Sequence, residues 1–60
     1  MSNEQVKLVK AKLTAIRKAI EINEFLVKLY GTNDIREVTL FALFDYQNKL
    51  ICKVNQLEGN

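Results

Sequence analysis

The chain has no histidine, a single cysteine and only two glycines, and each shortage removes a class of chemistry. Histidine is the side chain whose ordinary pKa lies nearest neutrality, so general acid–base catalysis would have to be built from other groups. With Cys52 alone no internal disulfide can form, and one thiol among scattered carboxylates does not make a zinc or iron site. Gly31 and Gly59 fall where helices should end, so no glycine-rich loop is present to cradle a phosphate. The apolar core of a signal peptide is missing too, and the longest apolar run, Leu40 to Phe44, is far shorter than the roughly 20 residues of a membrane span. These shortages lead us to expect a soluble, cytoplasmic protein that is not an enzyme and uses no cofactor, metal or small-molecule substrate. The unpaired cysteine fits a reducing compartment.

Apolar residues, by contrast, are plentiful at 48% of the chain, too many for a disordered segment of this charge. Sixty residues, 1–60, make one small domain. Below about 70–80 residues such a domain needs disulfides, a metal or oligomerisation to reach useful stability. Only oligomerisation is left.

The longest continuous pattern runs from Glu4 to Tyr30 and predicts a helix over about 3–30. At roughly 100° per residue, Val6, Val9, Leu13, Ile16, Ile20 and Val27 fall on one line down that helix. Leu8, Ala15, Ala19, Ile22, Leu26 and Leu29 fall on a second line, turned by about 120° from the first. Lys7, Lys10, Thr14, Arg17, Lys18, Glu21, Glu24 and Lys28 fill the remaining arc. One wet side and two dry sides require two separate covers. Ser2 and Asn3 are suitable N-cap residues, with Gln5 three positions after Ser2, and Gly31 can take the left-handed conformation that closes the helix.

After Thr32 and Asn33, the pair Asp34 and Glu37 reads as a second capping box, opening a helix over about 34–58, from Asp34 or one residue earlier. From Leu43 onward the period is helical, with Leu43, Tyr46, Leu50, Ile51, Val54 and Leu57 on one side, and Glu58, Gly59 and Asn60 supply the stop. A competing expectation is a β-hairpin with strands about 38–45 and 49–55, giving an α+β fold, because Val38 to Phe44 is β-branched and aromatic. Against it, no Asn-Gly, Asp-Gly or Gly-Gly pair marks a tight turn.

The expected fold is therefore all-α, an antiparallel helical hairpin that dimerises into a four-helix bundle. One stripe of the first helix packs on the second helix, and the other is left for a second hairpin. In layout, though in no residue motif, this resembles the small dimeric plasmid copy-control protein Rop, and no functional residue is carried across from it.

Candidate interface positions, for a second copy or a protein partner, are Leu8, Ala15, Ala19, Ile22, Leu26, Phe41 and Phe44, with Phe25, Phe41, Phe44 and Tyr46 as candidate anchors, since buried aromatic and aliphatic side chains dominate interface energetics. The functional expectation is a binding module acting on a partner protein, as an inhibitor, antirepressor or adaptor would. The alternative is a basic nucleic-acid-binding regulator. Residues 1–30 hold six basic and three acidic side chains, and Lys7, Lys10, Arg17 and Lys18 could meet phosphates. Cations near a helix N-terminus oppose its macrodipole, however, and only Phe25 could offer a base something to stack on. A membrane-surface helix wants one apolar side, and this one has two.

Three further expectations concern single residues. Glu21 and Glu24 should pair with Arg17 and Lys28 on the helix surface. Cys52 reads as buried or half-buried filler rather than a nucleophile. Asn23 lies with Lys12 in the narrow arc between the two stripes, where it either sits at the solvent edge or fixes the register of a helical seam.

Overall fold

Two helices, α1 (Ser2–Tyr30) and α2 (Asp34–Gly59), make up the computed structural model, which describes residues 2–59. They pack against each other as an antiparallel hairpin, 44 Å long, close to the length of a 29-residue α-helix at about 1.5 Å per residue. No strand occurs among the described residues, so the α+β alternative is overturned: both proposed strands lie inside α2. The physical reason is an inward line, Leu43, Gln47, Leu50 and Val54, that advances by three or four residues at a step and matches the period of α1. Thr39, a β-branched residue in the run that suggested a strand, settles into the helix by donating its hydroxyl to the Ile35 carbonyl at 2.8 Å.

The turn is fixed residue by residue. Gly31 has φ of 80°, and its N–H donates to the Val27 carbonyl at 2.8 Å, closing α1 with the left-handed cap expected of glycine. The cap of α2 differs from the expected box. Asn33 is the N-cap: its Oδ1 accepts from the Arg36 N–H at 2.8 Å, and its carbonyl takes the first helical bond from the Glu37 N–H at 3.0 Å. Asp34 and Glu37 remain in the first turn, where their charge suits the positive end of the helix. Arg36 also donates from Nη1 to the Gly31 carbonyl at 2.7 Å and lies over the Tyr30 ring, 5.8 Å from its centre. At the other ends, the side chain of Ser2 and all of Asn60, two of the expected signals, lie outside the described residues.

The first stripe of α1 is the one that packs on α2. Val9, Leu13, Leu50 and Val54 form the buried cluster, with Ile16, Ile51 and Leu57 half-buried against it, and Ile20 is buried further along α1. This core lies toward the ends of the chain rather than the turn. Between Glu21 and Lys49 no residue is buried, and no side chain anywhere in the described residues is fully enclosed. The Cα radius of gyration, 13.8 Å, exceeds the roughly 10 Å of a globule of this length. The hairpin is a single layer.

Candidate interaction surfaces

The Lys10 ammonium and the Glu58 carboxylate meet at 2.8 Å and mark one side of that layer. On α1, Lys10 belongs to the charged arc, which leaves the inward line in one direction. The second apolar stripe leaves it in the other, by about 130°. On α2, Leu40, Ile51 and Phe44 turn away from the inward line in the direction of Glu58, with Phe41 beyond them, while Tyr46, Ile35 and Ala42 turn the opposite way, again at about 100° per residue. The hairpin thus has a front face, with the ion pair, and a rear face, without it.

The rear face collects Leu8, Ala15, Ala19, Ile22 and Leu26 from α1 beside Ile35, Ala42 and Tyr46 from α2. Leu8 is 58% exposed, Ile22 59% and Ile35 78%, while Ala19 and Leu26 are half-buried at the edge of the core. Its charged groups are Glu4, Lys12 and Lys53. Asn23 is half-buried at the seam between core and rear face, and its Nδ2 donates to the Ala19 carbonyl of its own helix at 2.8 Å.

Phe41 and Phe44, grouped in the sequence with the α1 stripe, lie on the front face instead. Leu40 connects two hollows there: one of about 660 Å³ lined also by Glu21, Glu24, Phe25, Val27 and Lys28, the other of about 180 Å³ lined by Glu37, Phe41 and Phe44. Phe25 is 59% exposed and Phe41 71%. Glu21 and Glu24 do not form the expected pairs with Arg17 and Lys28; the ion pairs within 4 Å among the described residues are Lys10–Glu58 and Asp45–Lys49. Phe25, a candidate anchor from the sequence, lines the larger of these hollows, while Tyr46, named with it, lines neither. The neighbours of Phe25 across the hairpin come from α2.

Of the four candidate phosphate contacts, Lys7, Arg17 and Lys18 are exposed without an ion-pair partner, and Lys10 is engaged by Glu58. They spread over about 100° of the α1 circumference, and none of them lines either hollow of the front face. Cys52 is exposed, which corrects the expectation of core filler. It lies on the outer side of α2 beside Lys49, whose ammonium is 3.1 Å from Asp45, and Lys53. No group of three or more His, Cys, Asp or Glu side chains that could hold a metal occurs among the described residues, and no helix is long and apolar enough to cross a membrane.

Compared with protein-family models, curated proteins and solved structures, the chain matches none.

Proposed function

We propose that the hairpin is a non-enzymatic, homodimeric protein-interaction module. The rear faces of two copies pack into a four-helix bundle, and the dimer binds and modulates a partner protein in the manner of an inhibitor, antirepressor or adaptor. The observation that carries this reading is the exposed surface. The hairpin alone presents 4773 Å² to solvent, against about 4,000 Å² for a compact monomer of the same mass. The difference is roughly the 800 Å² that each partner contributes to a standard interface. On the rear face that surface is mostly apolar, as the core of a homodimer interface is, with Glu4, Lys12 and Lys53 as its charges. Ala15, Ala19 and Ala42 leave room for the backbones to approach, and Leu8, Ile22, Leu26 and Ile35 supply the apolar area. The dimer also provides the staple that a chain without disulfide or metal needs.

Sedimentation equilibrium at micromolar concentration tests the assembly. A mass twice the 6.9 kDa of the chain is expected, and a stable folded monomer would overturn the reading. Nucleic-acid binding is the weaker alternative, because Lys10 is already neutralised and the other three cations are dispersed.

A further inference from the structure

The geometry points to the front face near the turn as the place where the partner protein docks, and to a basic amphipathic helix as the segment it presents. This rests on the reading of the hairpin as a partner-binding module. Phe25, Leu40, Phe41 and Phe44 lie together in two hollows joined at Leu40. They are separate from the rear face assigned to the second copy. The larger hollow is lined from both helices and the smaller from α2 alone, meeting at Leu40, so the shape that fills both is a third helix laid along this flank, with anchors one turn apart entering the two hollows.

Charge selects the chemistry of that helix. Glu21, Glu24 and Glu37 border the hollows and Lys28 is the lone cation among the lining residues, leaving three carboxylates against one ammonium. No ion pair within 4 Å engages any of the four. The i,i+4 pair Glu24 and Lys28 would be the easy surface partnership, and it is not made. A cationic segment laid here would meet free carboxylates around an apolar floor, whereas phosphates or an acidic peptide would be repelled. A second copy fits poorly. Aligned with the first it would oppose like carboxylates, and reversed it would bring Lys7 and Arg17, whose exposed aliphatic neighbour Leu8 lies on the rear face.

Two synthetic twenty-residue helices test this, both with leucines along one side, one with lysines and the other with glutamates on the rest. Backbone amide NMR of the full chain, in whatever assembly it forms, should show saturable shifts at Phe25, Leu40, Phe41 and Phe44 with the lysine peptide. Its affinity should exceed that of the glutamate peptide by at least about tenfold. The variant carrying Glu21→Gln, Glu24→Gln and Glu37→Gln should erase that preference without changing the sedimentation mass. Phe41 is exposed, so Phe41→Ala should fold and bind the lysine peptide about tenfold more weakly, as an anchor truncation does. Equal binding of both peptides, shifts confined to the rear face, or no saturable binding would overturn the inference. A Phe41→Ala chain that turns monomeric would overturn it too, by making the front face the seam between copies. A wild-type monomer that still prefers the lysine peptide at the front face would remove the dimer and leave the docking site standing.

Discussion

Lys10 and Glu58, near opposite ends of the chain, place Nζ and Oε2 2.8 Å apart across the open end of the hairpin. Both side chains are about half exposed, at 54% and 48%, so the pair is worth no more than about 1 kcal/mol. Its informative aspect is direction. It fixes which flank of α1 lies beside which flank of α2, and so separates a mostly apolar rear face from a front that carries Phe25, Phe41 and Phe44, with carboxylates around its two hollows and the cations of the charged arc beyond them. Two faces of different chemistry suit two different tasks, assembly behind and partner capture in front.

The turn is held by backbone chemistry that substitution can test. Asn33→Ala removes the acceptor for the Arg36 N–H and should cost about 1 kcal/mol. Gly31→Ala forces a side chain into the left-handed region at φ of 80°, although nothing lies within 4 Å of the added carbon, so its cost is conformational alone, about 1–2 kcal/mol. Each variant should melt several degrees lower, at roughly 4–8 °C per kcal/mol for so small a domain, with its helix content unchanged in circular dichroism. An unaltered melting temperature for both would mean that the turn does not limit stability.

The core and the exposed aromatics should respond oppositely to truncation. Leu50, at 6% exposure, loses its neighbours Val9, Leu13 and Val54 when cut to alanine, and Leu50→Ala should destabilise by about 2–5 kcal/mol. Phe41→Ala removes a larger side chain from a more exposed site and should cost less than about 0.5 kcal/mol in the absence of a partner. Urea titrations of the two variants decide it. A large loss for Phe41→Ala would show that the ring is covered in the free protein.

The sequence made the two stripes of α1, the stop at Gly31 and most of the inward line of α2 from Leu43 onward legible, because each rests on a helical period or on a conformation that glycine tolerates best; the exception is Tyr46, expected on that line but 42% exposed, with Gln47 half-buried in its place. The front face was legible only in part, through Phe25, Phe41 and Phe44 as candidate anchors. The first half of α2 is apolar nearly all the way round, with Ile35, Val38, Leu40, Phe41, Ala42, Leu43 and Phe44 in close succession. Period alone therefore could not say which line faces α1 and which side Phe41 and Phe44 take. The neighbouring residues Asn33 and Asp34 are both good caps, and the choice between them was made by Arg36, whose backbone bonds Asn33 and whose guanidinium bonds Gly31. The Glu21 and Glu24 pairs were misread because exposed i,i+4 partnerships are worth only tenths of a kcal/mol, so solvated carboxylates cost little.

Nucleic-acid binding is open to a direct test that leaves the ion pair intact. Lys7→Glu, Arg17→Glu and Lys18→Glu together spare Lys10 and both apolar faces, so folding and assembly should persist. Wild-type protein should show no tight complex with duplex DNA or RNA at physiological salt. A wild-type complex whose affinity falls steeply with salt, and which the triple reversal abolishes, would replace the proposed function by the phosphate-binding one.

Asn23 tests how the rear faces meet. It lies half-buried where the core line gives way to the second stripe, at the edge of the face that the proposed assembly would cover. An asparagine in such a seam can fix register by pairing with its counterpart, at a cost in stability. Its Nδ2 already donates one N–H to the Ala19 carbonyl one turn back, so one of the amide's two donors is satisfied within its own helix and does not depend on the other copy. Asn23→Leu removes that back-bond, which helix interiors tolerate losing, and adds apolar surface at the seam. The variant should therefore remain a single dimeric species in native mass spectrometry and melt higher than wild type, by roughly 4–8 °C for each kcal/mol gained. A mixture of dimers with higher oligomers would reverse the conclusion, showing that the Asn23 amide sets the register of the bundle and that its bond to Ala19 gives way to one across the interface.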